Sequence, residues 1–183
     1  LFNDQLYRVM GVSAYLIFHN VAEFFSVMVS LSIFGLAWFS FDQSRDRHAL
    51  FLGVAFLVIG MMDFMHALSY TGMPDLITPN TVNRATLFWI AARLFSAAAF
   101  LGSAFVPSDS PLRWINRPTL ITAALIACLL VFAGIVFFPD KLPVAFVPDV
   151  GLTPFKRVSE YVIILIFALA AALYWRRLAR PEN

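Results

Sequence analysis

The stretch that decides the fold is "LIFHNVAEFFSVMVSLSIF", residues 16–34, in which His19 and Glu23 stand four residues apart inside a predominantly apolar run. A run of this length is too long for an ordinary buried helix and suits a helix crossing about 30 Å of hydrocarbon, which takes roughly 20 residues. The rest of the chain has the same character. Of its 183 residues 61% are hydrophobic and 13% charged, and the mean hydropathy is +0.80. That balance excludes an ordinary water-soluble domain. Apolar runs at 15–41, 50–70, 84–106, 118–138 and 158–175 predict five spanning helices. Ten-residue segments of alternating polarity, the mark of a membrane barrel, are missing, so the class is all-α: a polytopic helix bundle forming one transmembrane domain over 1–183.

The opening "LFNDQLYRVM" has no basic start, short apolar core or small-residue cleavage site, so no signal peptide is expected there. Both ends look trimmed. The lone Cys128 falls in the fourth run, where it reads as a packing residue. Lys and Arg near the helix ends indicate orientation. Arg45, Arg47, Arg113, Arg117, Arg176, Arg177 and Arg180 lie on one side, against Arg8, Arg84, Lys141, Lys156 and Arg157 on the other. The bias places the amino end outside and the carboxyl end in the cytoplasm. The segments "TGMPDLITPNTVN" (71–83) and "PDKLPVAFVPDVGLTPFK" (139–156) are then outer loops, rich in Pro, Gly, Asn and Thr, expected to fold over the helix ends. "DQSRDRHA" (42–49) and "PSDSPLRWINRP" (107–118) are shorter inner loops, and His48 reads as solvated in the first of them. A net charge of +2 gives no reason to expect a nucleic-acid partner; the bilayer is the expected surrounding.

Antiparallel threading brings the intramembrane polar groups to one level. His19 and Glu23 fall roughly 6 and 12 Å below the outer end of the first helix, and Asp63 and His66 roughly 10 and 6 Å below the same end of the second. Arg93 lies about 13 Å down the third, with Trp89 one turn above it. An acid or an arginine at mid-membrane costs on the order of 3 kcal/mol. Three at matched depth call for a reason. On the first helix His19, Glu23, Ser26 and Ser30 form a polar stripe; on the second Gly53, Gly60, Asp63 and Ala67 form a face of small residues that admits a close neighbour, and the two stripes are expected to meet.

Three readings follow. Arg93 pairs with Asp63 or Glu23 and the cluster is structural. Alternatively His19, Glu23, Asp63 and His66 hold a transition metal such as copper, zinc or iron, since imidazole and carboxylate suit these ions. In the third, the cluster binds a proton or a small polar ligand, walled by Tyr70 and Trp89. Met61, Met62 and Met65 beside His66 read as core, although Met62 and His66 share a face. Glu160, taken to open the fifth helix, is expected to cap it or to approach Arg93.

The segments "FHNVAEFFSVMVSLSIFGLAW", "FLGVAFLVIGMMDFMHALSYTGMP", "TLFWIAARLFSA" and "GLTPFKRVSEYVIIL" are similar, in order and across nearly the whole chain, to the third type of bacterial membrane-associated sensor domain, the MASE group. The family's histidine and glutamate fall on His19 and Glu23, its D-x-x-H-x-x-x-Y-x-G-M segment on Asp63, His66, Tyr70, Gly72 and Met73, and its W-x-x-x-R on Trp89 and Arg93. The resemblance implies a sensory input domain, not itself an enzyme. A cytoplasmic output module would follow in the same chain: a diguanylate cyclase or phosphodiesterase of cyclic di-GMP signalling, a histidine kinase of a two-component system, or a PAS domain. It also implies more spans than five in the intact protein, and such output modules imply a homodimer. A fainter similarity is to the membrane sensor of plant ethylene receptors, where a Cys and a His four apart hold copper; Met62 and His66 take that spacing here. The expected function is a membrane-embedded sensor of a metal ion or small ligand, with the fifth helix as transmitter. The alternative is a proton- or ion-relaying transporter or channel fragment, but "LFSAAAFLGSAFV" below Arg93 offers no further ionisable group.

Overall fold

A computed structural model describes residues 12–179 except 76 and 149; Arg8 and Arg180 of the orientation argument lie outside the described residues. Five helices run through the chain: α1 (Val12–Ser44), α2 (Arg47–Leu68), α3 (Val82–Ser103), α4 (Arg117–Phe137) and α5 (Pro154–Leu178). All five are long and apolar enough to cross a membrane. The helices begin where capping chemistry permits. Asp46, Thr81, Asn116 and Thr153 each accept a hydrogen bond from the backbone N–H three residues on, at the starts of α2, α3, α4 and α5.

These caps correct two expectations. Helix α2 starts at Arg47 and not at 50, so His48 is helical; its Nδ1 lies 2.8 Å from Val106 O and its Nε2 3.3 Å from the Tyr174 hydroxyl. It is held between helices and is not a solvated loop residue. Helix α5 starts at Pro154 and not at 158, which puts Glu160 beyond the first turn. There it neither caps the helix nor pairs with Arg93: its Oε1 accepts from Lys156 Nζ at 2.8 Å. A hydropathy reading trims polar first turns, and the caps restore them.

Helices α2 and α3 form the centre, with α1 against α2, α5 against α3 and α4 across both. Leu50, Val54, Val58 and Met62 of α2 meet Ala92, Leu120 and Ala124 in one apolar cluster, and Leu87, Phe88 and Ile90 of α3 meet Ile135 and Val136 in another. Lipid tails are as apolar as these side chains, so intimate packing and polar pairs must hold the helices together. The small residues of α2 serve that end. Gly53 lies so close to Ala37 that an added Cβ would collide with the alanine methyl, and a Cβ on Gly60 would fall 3.1 Å from that of Ser30. Gly60 of the α2 stripe therefore faces Ser30 of the α1 stripe as expected, whereas Asp63 of the same stripe is turned to Arg93 of α3.

The loops at the His19 end are folded. Asn80 Nδ2 donates to the carbonyls of Leu68, Met73 and Pro74 at 3.1–3.2 Å. A 3-10 turn (Pro139–Lys141) leads to a two-stranded antiparallel hairpin, β1 (Phe146–Val147) and β2 (Gly151–Leu152). Asn83 Oδ1 accepts from the backbone N–H groups of Ala145 and Phe146, pinning the hairpin to the start of α3.

Candidate metal centre

His19 and Glu23 lie one turn apart on α1, so their side chains project in the same direction. The close α1–α2 contact brings His66 opposite them. Glu23 Oε1 lies 3.8 Å from His19 Nε2 and 3.9 Å from His66 Nε2. One donor atom from each of the three residues falls within 4.8 Å of the others. Two ligands on one tetrahedral ion at 2.0–2.1 Å bond lengths sit roughly 3.3–3.4 Å apart. Each histidine needs to approach Glu23 by about half an ångström to meet that geometry, and the two histidines, within 4.8 Å of each other, by up to about 1.5 Å.

The outer nitrogen of His66 decides its state. Nδ1 lies 2.8 Å from the carbonyl oxygen of Ala85, and a carbonyl can only accept, so Nδ1 carries a proton; in the neutral ring the lone pair is then on Nε2, the nitrogen nearer Glu23. A backbone carbonyl on the far nitrogen is the usual orienting partner of a metal-bound imidazole. His66 is 7% exposed, and this bond ties its ring to α3. His19 Nδ1 is buried and has no hydrogen-bond partner among the described residues. The Tyr70 ring lies against His19 with centroids 4.3 Å apart, and the two imidazole centroids are 5.8 Å apart.

The other expected site residues are placed elsewhere. Asp63, 1% exposed, is engaged through both carboxylate oxygens by Arg93 Nη2, so it stands outside the three-donor group and its charge is already met. Of the two partners considered for Arg93, Asp63 is the one. Trp89 faces α5, where Lys156 Nζ lies 3.3 Å from the ring centroid. It shares a separate depression with Arg157, Glu160 and Tyr161 and does not wall the histidines. Met61, Met62 and Met65 line an apolar hollow with Cys128 and Phe88; Met62 is buried and Met65 half-buried, in keeping with a core role, whereas Met61 is exposed and is not core.

Two features escape a reading of side chains alone. The Ala85 carbonyl orients His66 although any residue could supply it, so no letter of the sequence marks it. Lys156, buried between Glu160 and Trp89, was legible only as an i, i+4 pair with Glu160.

The family model for the membrane-associated sensor domain MASE3 matches residues 10–183. The chain belongs to this family. The MASE3 match covers all five helices and the three-donor group together, so the polar cluster lies within the sensor domain itself. No protein of curated function and no solved structure matches the chain.

Proposed function

We propose that this MASE3 domain is a sensory input module whose stimulus acts at a transition-metal ion held by His19, Glu23 and His66, and that it reports to a cytoplasmic output module in the same chain. The output module is of the cyclase, phosphodiesterase, kinase or PAS type. The observation that carries the reading is the convergence of three donors from two helices, one of them locked in its metal-binding tautomer by the Ala85 carbonyl. Two imidazoles and one carboxylate form a donor set suited to zinc, iron(II) or copper. The ion would supply charge and one exchangeable coordination position at a depth where neither water nor lipid offers them.

The fold supports a route for the signal. An ion that draws α1 and α2 together acts on α3 through His66–Ala85 and Asp63–Arg93, and α5 rests on α3 through Trp89–Lys156 at one end and Ser103–Tyr174, 2.7 Å, at the other. Signalling needs the bound ion to favour one arrangement of these helices by a few kcal/mol.

Elemental analysis of the gently purified protein beside a His19→Ala/His66→Ala variant tests the reading. Stoichiometric metal in the parent and none in the folded variant is the expected result. Equal metal in both, or none in the parent after exposure to zinc, iron(II) and copper, overturns it.

A further inference from the structure

His48, the second residue of α2, stands at the opposite end of that helix from His66 and begins a network of polar contacts that crosses to α3 and α5. Its Nδ1 lies 2.8 Å from Val106 O and its Nε2 3.3 Å from the Tyr174 hydroxyl. That hydroxyl lies 2.7 Å from Ser103 Oγ, which in turn lies 2.8 Å from Phe100 O. Ser103 is fully buried, and His48 and Tyr174 are half-buried.

With a neutral imidazole this network lacks a hydrogen. The Val106 carbonyl can only accept, so Nδ1 carries a hydrogen whether the ring is neutral or charged. Three contacts remain, from Nε2 to Tyr174, from Tyr174 to Ser103 and from Ser103 to Phe100 O, and each needs one hydrogen. The two hydroxyls bring one each. Every arrangement of those two leaves one contact with lone pair against lone pair. A proton on Nε2 closes the gap: Nε2 then donates to Tyr174, Tyr174 to Ser103, and Ser103 to Phe100 O.

We infer that His48 is a proton-binding site, and that the proton it takes up fastens the end of α5 to α2 and α3. The site is independent of the three donors at the other end of the bundle. Its surroundings hold no counter-charge for the imidazolium: His48 forms no ion pair among the described residues. On its own helix Asp46 caps α2 through Ala49 N, and the Arg47 guanidinium is held by the carbonyls of Ser110 and Leu112. Asp42 of α1 pairs with Arg117 of α4. Arg45, Asp109 and Arg113 in the adjoining loops and Arg176 and Arg177 of α5 are exposed. The completed hydrogen bonds, and not a neighbouring carboxylate, therefore hold the proton. A hydrogen bond given by a charged donor is the stronger kind.

Thermal unfolding in detergent, followed by circular dichroism at pH 5.5 and pH 8, on either side of the ordinary imidazole range, tests the site. Tyr174→Phe and Ser103→Ala each remove one link. Either loses one hydrogen bond from the network with a neutral ring and two from the network with a charged one. The fall in unfolding midpoint is therefore expected to be about twofold larger at pH 5.5 than at pH 8 for each variant. In a His48→Gln background, where nothing titrates at this position, the fall is expected to be the same at both. Equal falls at the two pH values in the parent background, or a larger fall at pH 8, overturn the site. An acid excess that persists in the His48→Gln background puts the proton on another group and overturns it too.

Discussion

At the scale of single residues, Asp63 and Arg93 differ in what their loss leaves behind. The Asp63 side chain is 1% exposed and that of Arg93 31% exposed. Replacing Arg93 by Leu strands a carboxylate that no other cation among the described residues pairs with; replacing Asp63 by Asn leaves a guanidinium in a more open environment. Removing one partner of a buried pair costs about 3–5 kcal/mol. Thermal unfolding in detergent, followed by circular dichroism, is therefore expected to show the larger fall for Arg93→Leu, a smaller one for Asp63→Asn, and partial recovery in the double variant. Parent-like unfolding of both single variants would mean that the pair contributes nothing. The depth argument located Asp63 and Arg93 at one level, but the choice between Asp63 and Glu23 as partner was not legible. Both acids satisfy the same spacing, and only the rotation of α2 relative to α3 separates them.

At the scale of elements, α1 and α2 meet through glycines, and the cost of a methyl group is graded by the neighbour it would strike. Gly53 faces the Cβ of Ala37, which has no torsion with which to move aside. Gly60 faces Ser30 at 3.1 Å, a contact that a small helix shift relieves, and Gly134 in α4 has nothing within 4 Å. Gly53→Ala is expected to lose about 1–3 kcal/mol, as overpacked cores do. Gly60→Ala should lose less, and Gly134→Ala should be neutral or gain up to about 1 kcal/mol from helix propensity. The midpoint of thermal unfolding ranks the three, and a parent-like Gly53→Ala would mean that α1 does not pack as described. Spans and small-residue faces were legible because hydropathy and spacing depend on side chains alone. Helix starts were displaced by three or four residues at α2 and α5 because Asp46 and Thr153 act through the backbone. Trp89 was misassigned to the histidines because spacing gives the angular order of residues on one helix and not which neighbour each faces.

At the scale of the whole molecule, the five spans among the described residues put the start of α1 and the end of α5 on opposite sides of the membrane, and charge decides which is where. The structure sharpens the sequence argument by separating cations that are held from those that are free to meet lipid headgroups. Lys156 is buried against Glu160 and Trp89, and the Arg84 guanidinium reaches Thr78 at 2.7 Å, so neither counts as a free anchor at the His19 end. Arg47 and Arg117 at the opposite end are likewise occupied, by the carbonyls of Ser110 and Leu112 and by Asp42. Among the described residues the exposed cations left are Arg45, Arg113, Arg176 and Arg177 on one side against Lys141 and Arg157 on the other. Exposed Trp175 beside Arg176 adds an aromatic anchor to the richer side. Excess Lys and Arg near the span ends mark the cytoplasmic face. In a bacterial host, green fluorescent protein fused after Asn183 is expected to fluoresce, and alkaline phosphatase at the same position to stay inactive. Active phosphatase with dark fluorescent protein would invert the topology, put the three-donor group in the cytoplasmic half of the bilayer, and separate α5 from any cytoplasmic output module.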